Sequence, residues 1–120
     1  MSILAMVLVG IVALLHIVFL IVEAFLWESR GPGIFKTIPR EMFTPTKTMM
    51  LNQGIYNGFL AAGLIWSLFI SNPQWQANIA LFFLGCVIIA GIVGAATVSR
   101  RIFFIQAAPA IVAAILVLMS

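Results

Sequence analysis

Four apolar runs, each about as long as a membrane-spanning helix, constrain this 120-residue chain more than any other feature. A bilayer core about 30 Å thick is crossed by roughly 20 helical residues. Only 8% of the residues are charged and 64% are hydrophobic, whereas a water-soluble domain needs a charged surface. The sequence therefore predicts an all-α, polytopic membrane protein. It would form a single domain over 1–120, an antiparallel bundle of four transmembrane helices at about 3–27, 49–70, 77–98 and 102–119.

The basic residues predict the orientation of this bundle. All of them fall in the connection between the first and second predicted helices or in that between the third and fourth: Arg30, Lys36, Arg40, Lys47, Arg100 and Arg101. Both connections lie on the same side of the membrane, and the positive-inside rule makes that side cytoplasmic. Both termini are then outside, an N-out/C-out topology. The net charge of +3 is explained as an orientation signal and requires no nucleic acid as a partner.

The long connection at 28–48 mixes apolar and charged residues. Its sequence Ser-Arg-Gly-Pro-Gly at 29–33 is a strong signal for ending a helix. The mixture that follows favours a segment lying on the cytoplasmic membrane surface, with its apolar side chains toward the lipid. The alternative is a lid over a cytoplasmic opening. Trp27, Trp66 and Trp75 are placed by the predicted topology at the membrane interfaces, as in an aromatic belt.

Small residues and one proline predict how the helices pack. Gly54 and Gly58 are four residues apart, as are small residues around Gly91 and Gly94, and such spacing lets helix backbones approach closely. Pro109 lies inside the fourth predicted helix and cannot donate to the carbonyl of residue 105. The sequence therefore predicts a tight bundle with a kink in its last helix.

Polar side chains inside these apolar runs are the strongest indication of a functional site. Hydrocarbon offers no hydrogen-bond partners, so such groups need protein, water or ligand. His16 and Glu23 share a helix face about 10 Å apart along the axis, too far for direct contact. Topology places Glu23, the polar residues of 52–57, Thr97 and Gln106 in the cytoplasmic half, with His16 as the floor of a pocket. The predicted ligand-binding residues are His16, Glu23, Asn52, Gln53, Tyr56, Asn57 and Gln106.

Each of these side chains also has a simpler interpretation as a hydrogen bond between helices. A single histidine and the lone Cys86 do not make a zinc or haem site. No nucleophile triad or phosphate-binding loop is recognisable, so we predict no metal, no cofactor and no named catalytic residue.

Three functions are compatible with this pattern. The first is a small-solute transporter or ligand-binding membrane protein, in which Glu23 accepts a proton or cation and His16 relays protons. The second is a membrane-embedded acid–base enzyme, isomerase-like, acting on a lipophilic substrate. The third is a structural or partner-binding subunit. The predicted partner is the lipid bilayer, and a small-molecule or lipid ligand and a parallel homo-oligomer are further alternatives.

The chain resembles a family of small bacterial four-helix membrane proteins, domain-of-unknown-function family 1304. The matching segments are 16–27, 52–66, 82–94 and 106–110, and the second of these is specific: Asn-Gln-Gly-Ile-Tyr-Asn-Gly-Phe-Leu-Ala-Ala-Gly-Leu-Ile-Trp. Ala24 and Val93 stand where similar sequences have Met and Tyr. The resemblance runs nearly end to end. It implies a multi-pass protein of the bacterial inner (plasma) membrane and no settled activity.

Overall fold

The computed structural model describes residues 1–120 and is all-helical, with no strand. A short 3₁₀ turn at Arg40–Met42 lies in the connection between the second and third helices. The five helices are α1 (Ile3–Phe25), α2 (Trp27–Ile34), α3 (Lys47–Leu68), α4 (Pro73–Thr97) and α5 (Arg100–Met119).

Three of these helices, α1, α4 and α5, are long and apolar enough to cross a membrane. The remaining predicted span, 49–70, corresponds to α3, which has 22 residues but is not among the candidates. Its first half carries Asn52, Gln53 and Asn57, and these amides lower its hydropathy. The structure thus agrees with a membrane protein and supports three of the four predicted spans by length and composition.

The four long helices pack in a ring, because α1 contacts α3 and α5 while α4 contacts the same two helices on the other side. Two glycines explain the closest approaches. A Cβ on Gly54 would lie 3.0 Å from the backbone nitrogen of Ala24 in α1, and one on Gly91 would lie 2.8 Å from that of Ala107 in α5. Only residues without a side chain fit at these crossings, which agrees with the close packing predicted from the glycines.

The half of the bundle that contains both termini is a packed apolar core. The termini themselves lie together, with the Ser120 hydroxyl donating to that of Ser2 at 3.1 Å. Two polar residues, Ser67 and Gln76, are also buried in this half, and the Ser67 hydroxyl donates to the Leu64 carbonyl. The buried members of the core are Ala5, Val9, Val12, Ala13, Leu64, Ala80, Leu84, Val87, Ala110, Ala113 and Val117.

The first predicted helix, 3–27, is divided in the structure. α1 ends at Phe25, and α2 then runs through the Gly-Pro-Gly sequence that was predicted to end a helix. Tertiary contacts explain this difference: Gly31 is buried so closely against Phe43 that a Cβ would lie 2.7 Å from its ring. Packing on Phe43 therefore holds the glycine in helical conformation despite its low propensity.

Trp27 is buried rather than interfacial, contrary to the aromatic-belt prediction. Its ring packs at a tilt against Phe35 and Phe43, with centroids 5.3 and 4.7 Å away, and only 4% of the residue is exposed. Its indole N–H donates to the Thr46 hydroxyl at 2.9 Å. The side chain thus joins α2 to the segment before α3, whereas Trp66 and Trp75 are exposed.

The predicted kink in the last helix takes the form of a π-helical turn at Phe103–Ala107. The Ala108 N–H donates to the Phe103 carbonyl, five residues back. Pro109 follows directly and has no N–H to donate to the carbonyl of Ile105. Single π turns inside α-helices are frequent at functional sites, and this one carries Gln106.

Candidate functional site

A cavity of about 690 Å³ lies at the end of the bundle opposite the two termini. Every helix contributes to its wall, and most of the lining is apolar. Its lining includes Val18, Val22, Glu23, Trp27, Lys36, Gln53, Asn57, Ala90, Arg101, Ile102, Ile105 and Gln106.

Glu23 and Asn57 form a buried hydrogen bond between α1 and α3. The Asn57 amide donates to a Glu23 carboxyl oxygen, and the two residues are only 5% and 9% exposed. Gly54 makes this contact possible because it brings the α3 backbone onto Ala24, directly beside Glu23. Asn57 is one helical turn further along the same face, within reach of the carboxyl group.

His16 and Gln106 form a second polar contact, between α1 and α5. The His16 Nδ1–H donates to the Val12 carbonyl at 2.8 Å, one turn earlier in the same helix. This bond leaves Nε2 to accept from the Gln106 amide at 3.1 Å. Because both ring nitrogens are engaged within the protein, His16 holds Gln106 in place.

His16 itself does not line the cavity, although it was predicted as the floor of the pocket. It is fully buried and its ring packs edge-on against Phe19, with centroids 5.2 Å apart. Gln106 and Phe19, which do line the cavity, separate it from His16.

The other predicted site residues fall into two groups: those whose side chains line the cavity and those that lie on other faces of their helices. Gln53 lines the cavity together with Asn57, whereas Asn52 and Tyr56 do not, and Tyr56 is 60% exposed on the outside of α3. Thr97 is exposed and donates to the carbonyl of Val93 in its own helix. The structure therefore brings together Glu23, Gln53, Asn57 and Gln106 from the predicted set.

The connection at 34–42 folds over the cavity, and most of its residues line it. This is the position that the lid alternative predicts, and most of the segment is exposed on its other side. The physical cause of this position is the aromatic cluster of Trp27, Phe35 and Phe43, which pulls the connection onto the bundle. Sequence reasoning missed this cluster because the three rings, eight residues apart, meet only where the chain turns back after α2.

Two basic side chains, Lys36 and Arg101, line the mouth of the cavity and were not predicted as site residues. Neither has a carboxylate partner. The ion pair in the structure joins Lys47 to Glu28 at 3.2 Å instead. Nowhere in the structure do three His, Cys, Asp or Glu side chains form a group that could hold a metal ion.

Glu28 ties α2 to the beginning of α3. The Thr44 hydroxyl donates to its carboxylate at 2.9 Å, and this hydrogen bond, with that from Lys47, lowers the pKa of Glu28. A carboxyl group whose pKa is lowered on folding stabilises the fold above its unfolded pKa and loses that contribution as the pH falls. Both partners are exposed, so the effect is small and local.

We therefore expect backbone amides around Thr44 to exchange with solvent a few-fold faster below about pH 4, after correction for intrinsic rates. Hydrogen exchange with mass spectrometry measures this change. The Glu28→Gln variant should show the faster exchange already at pH 7 and no further acid effect. An equal acid response in the variant would show that Glu28 does not tie down this segment.

These features define an all-helical protein with three candidate membrane-spanning helices and a lidded cavity at one end. The chain belongs to the family described as "Protein of unknown function (DUF1304)", whose model matches residues 10–118, and the resemblance predicted from its sequence motifs is confirmed. It is similar to the "Uncharacterized protein YpaA" of Lactococcus lactis subsp. lactis (strain IL1403), with 31% identity over 117 residues. This alignment covers 96% of the chain and 97% of the relative. No solved structure matches the chain.

Proposed function

We propose that this chain is a four-span protein of the bacterial inner membrane that binds an amphipathic small molecule in its cavity. The single observation that carries the proposal is the cavity itself, which combines an apolar wall with a few buried polar groups. Ligand pockets typically have volumes of about 300–1,000 Å³ and this composition.

The four-span arrangement is supported by the packing of α3. Its 22 residues make a helix about 33 Å long, enough for a bilayer core. It lies against α1 and α4, both candidate spans, and exposes Phe59 and Ile65 on its outer side. Its amides Gln53 and Asn57 face the cavity rather than lipid, which reduces the cost of placing this helix in a membrane.

The orientation is supported by the position of the basic residues at the cavity end of the bundle. Under the positive-inside rule this end is cytoplasmic, and both termini are outside. The cavity then opens toward the cytoplasm and the inner leaflet.

Binding is favoured over transport because the cavity has one closed end. The core between the cavity and the termini includes fully buried Leu64, Leu84 and Val87, and the Ser67 hydroxyl buried beside them donates to the Leu64 carbonyl of its own helix. Passage of a solute through the protein would require these helices to separate along that core.

Binding is also favoured over acid–base catalysis by Glu23 and His16. Glu23 lines the cavity, whereas His16 is shielded from it and both its ring nitrogens have protein partners. The two groups therefore do not face one substrate position, as a general acid and base would have to do.

Filling the cavity tests the proposal. Ala90 lines the cavity on α4, so Ala90→Phe should exclude the ligand; Ala96 on the same helix is exposed and outside the cavity, so Ala96→Phe is the matched control. Native mass spectrometry of protein purified in lipid nanodiscs measures any bound molecule. We expect the original chain and Ala96→Phe to carry it and Ala90→Phe to lose at least about 90% of it, a tenfold change in occupancy.

Equal occupancy in all three proteins, or no bound molecule in any of them, would contradict ligand binding in this cavity. Ligand flux across proteoliposomes, lost in Ala90→Phe and kept in Ala96→Phe, would instead show transport.

A further inference from the structure

We infer that the cavity binds an anionic amphiphile with a single apolar chain. Its acidic head group would lie between Lys36 and Arg101, and its chain would leave between α1 and α5 toward the inner leaflet. This inference rests on the proposed function and specifies its ligand.

The charge of the cavity favours an anion. Two cationic side chains, Lys36 and Arg101, line it against one carboxyl group, Glu23, which already accepts a hydrogen bond from Asn57. Neither cation is within ion-pair distance of Glu28 or Glu41, the other acidic side chains. An acidic head group would supply the missing partner, and complementary charge is what gives such a site its specificity.

Position on the helix distinguishes Arg101 from its neighbour Arg100. Both belong to the first turn of α5, and both are exposed, but only Arg101 lines the cavity. If the arginines served only to orient the protein in the membrane, the two would be equivalent, because the positive-inside rule counts charge on one side of the membrane. The pair therefore provides a direct comparison of a cavity role with an orientation role.

Hydrogen-bonding groups lie beside this charge. Gln53 from α3 and Gln106 from α5 both line the cavity, and an amide can donate to the oxygens of an acidic group. Gln106 is positioned by His16 and by the π turn that carries it. These amides and the two cations supply donors from three parts of the chain.

The apolar chain has a path out of the cavity between α1 and α5. α1 packs on the Ala108–Met119 part of α5, whereas the preceding turn at Phe103–Ala107 packs mainly on α4. The two helices therefore separate toward the cavity end, where Val18 and Val22 line one wall and Ile102 and Ile105 the other. Because the gap between the two helices is lined by apolar side chains, it can hold a hydrocarbon chain whose far end extends into the bilayer.

Quenching of Trp27 fluorescence tests the inference, because Trp27 lines the cavity. Trp66→Phe and Trp75→Phe, both at exposed positions, make Trp27 the only tryptophan. The protein in neutral-lipid nanodiscs is titrated with brominated probes of one chain length: a fatty acid, the corresponding alcohol and the corresponding quaternary ammonium. We expect saturable quenching by the acid, with an affinity at least about fivefold higher than that of the other two.

Charge variants complete the test. Arg101→Gln should weaken binding of the acid about fivefold and leave the alcohol unchanged, whereas Arg100→Gln should change neither. Equal affinity for all three probes, or equal effects of the two arginine variants, would overturn the anionic ligand and leave the proposed function standing, provided that Ala90→Phe still abolishes quenching. Quenching that Ala90→Phe does not affect would contradict the proposed function as well.

Discussion

Gly91→Ala is expected to lower the free energy of unfolding by about 1–3 kcal/mol, the usual cost of overpacking a core. The added Cβ would lie 2.7 Å from the Cβ of Ala107 and 2.8 Å from its backbone nitrogen. Ala107 is fully buried and belongs to the π turn of α5, so neither atom can rotate out of the way. α4 and α5 must separate instead, which loosens the wall of the cavity. Unfolding in mixed detergent micelles by titration with denaturing detergent measures the change.

The matched control is Gly85→Ala on the same helix. No atom lies within 4 Å of a Cβ added at Gly85. Alanine has the higher helix propensity, so this variant should be neutral or more stable by up to about 1 kcal/mol. If Gly91→Ala proved as stable as Gly85→Ala, the close crossing of α4 and α5 would not exist as described.

Asn57→Leu is expected to destabilise the protein by about 1–3 kcal/mol, because it leaves the buried Glu23 carboxyl group without its hydrogen-bond partner. Replacing both residues with leucine removes the unsatisfied group as well and should restore much of the loss. Glu23→Gln keeps a carbonyl oxygen that can accept from Asn57 and should cost less than Asn57→Leu. A double-mutant cycle on the same unfolding measurement gives the coupling between the two side chains, which we expect to exceed about 0.5 kcal/mol.

Asn52→Leu is the control for this cycle. Asn52 lies on the same helix, is exposed and makes no side-chain hydrogen bond. Its replacement should change stability by no more than about 0.5 kcal/mol. Additive effects of the Glu23 and Asn57 substitutions, or an equal loss in Asn52→Leu, would mean that α1 and α3 are not joined by this hydrogen bond.

Much of the fold follows from features that are local in the sequence. Apolar runs of membrane-spanning length predicted the long helices, and the structure confirms three of them as candidate spans. Gly54 and Gly91 predicted close helix crossings, which exist. Pro109 predicted a distortion in the last helix, and a π turn precedes it. Each of these three predictions depends on residues within a few turns of one helix. It can therefore be made without knowing which other helices pack against that helix.

The candidate site was only partly accessible to the same reasoning. The sequence fixes how deep a side chain lies along its helix, and depth alone grouped Asn52, Tyr56 and Asn57. It does not fix which way the helix faces in the bundle, and the structure turns Asn57 inward and Tyr56 outward. Trp27 shows the same limit, because its burial depends on Phe43, which is distant in sequence.

By itself, the amino-acid sequence determined that the chain is helical, apolar enough for a membrane and polar at a few buried positions of one half. Hydrophobicity acts through the surrounding solvent, and glycine and proline act on the local backbone. These conclusions can therefore be drawn without knowing any tertiary contact. The tertiary structure decided which polar groups meet, that His16 holds Gln106 in the cavity wall, and that the connection after α2 covers the cavity. These outcomes depend on the rotation of each helix about its axis, which packing between helices sets.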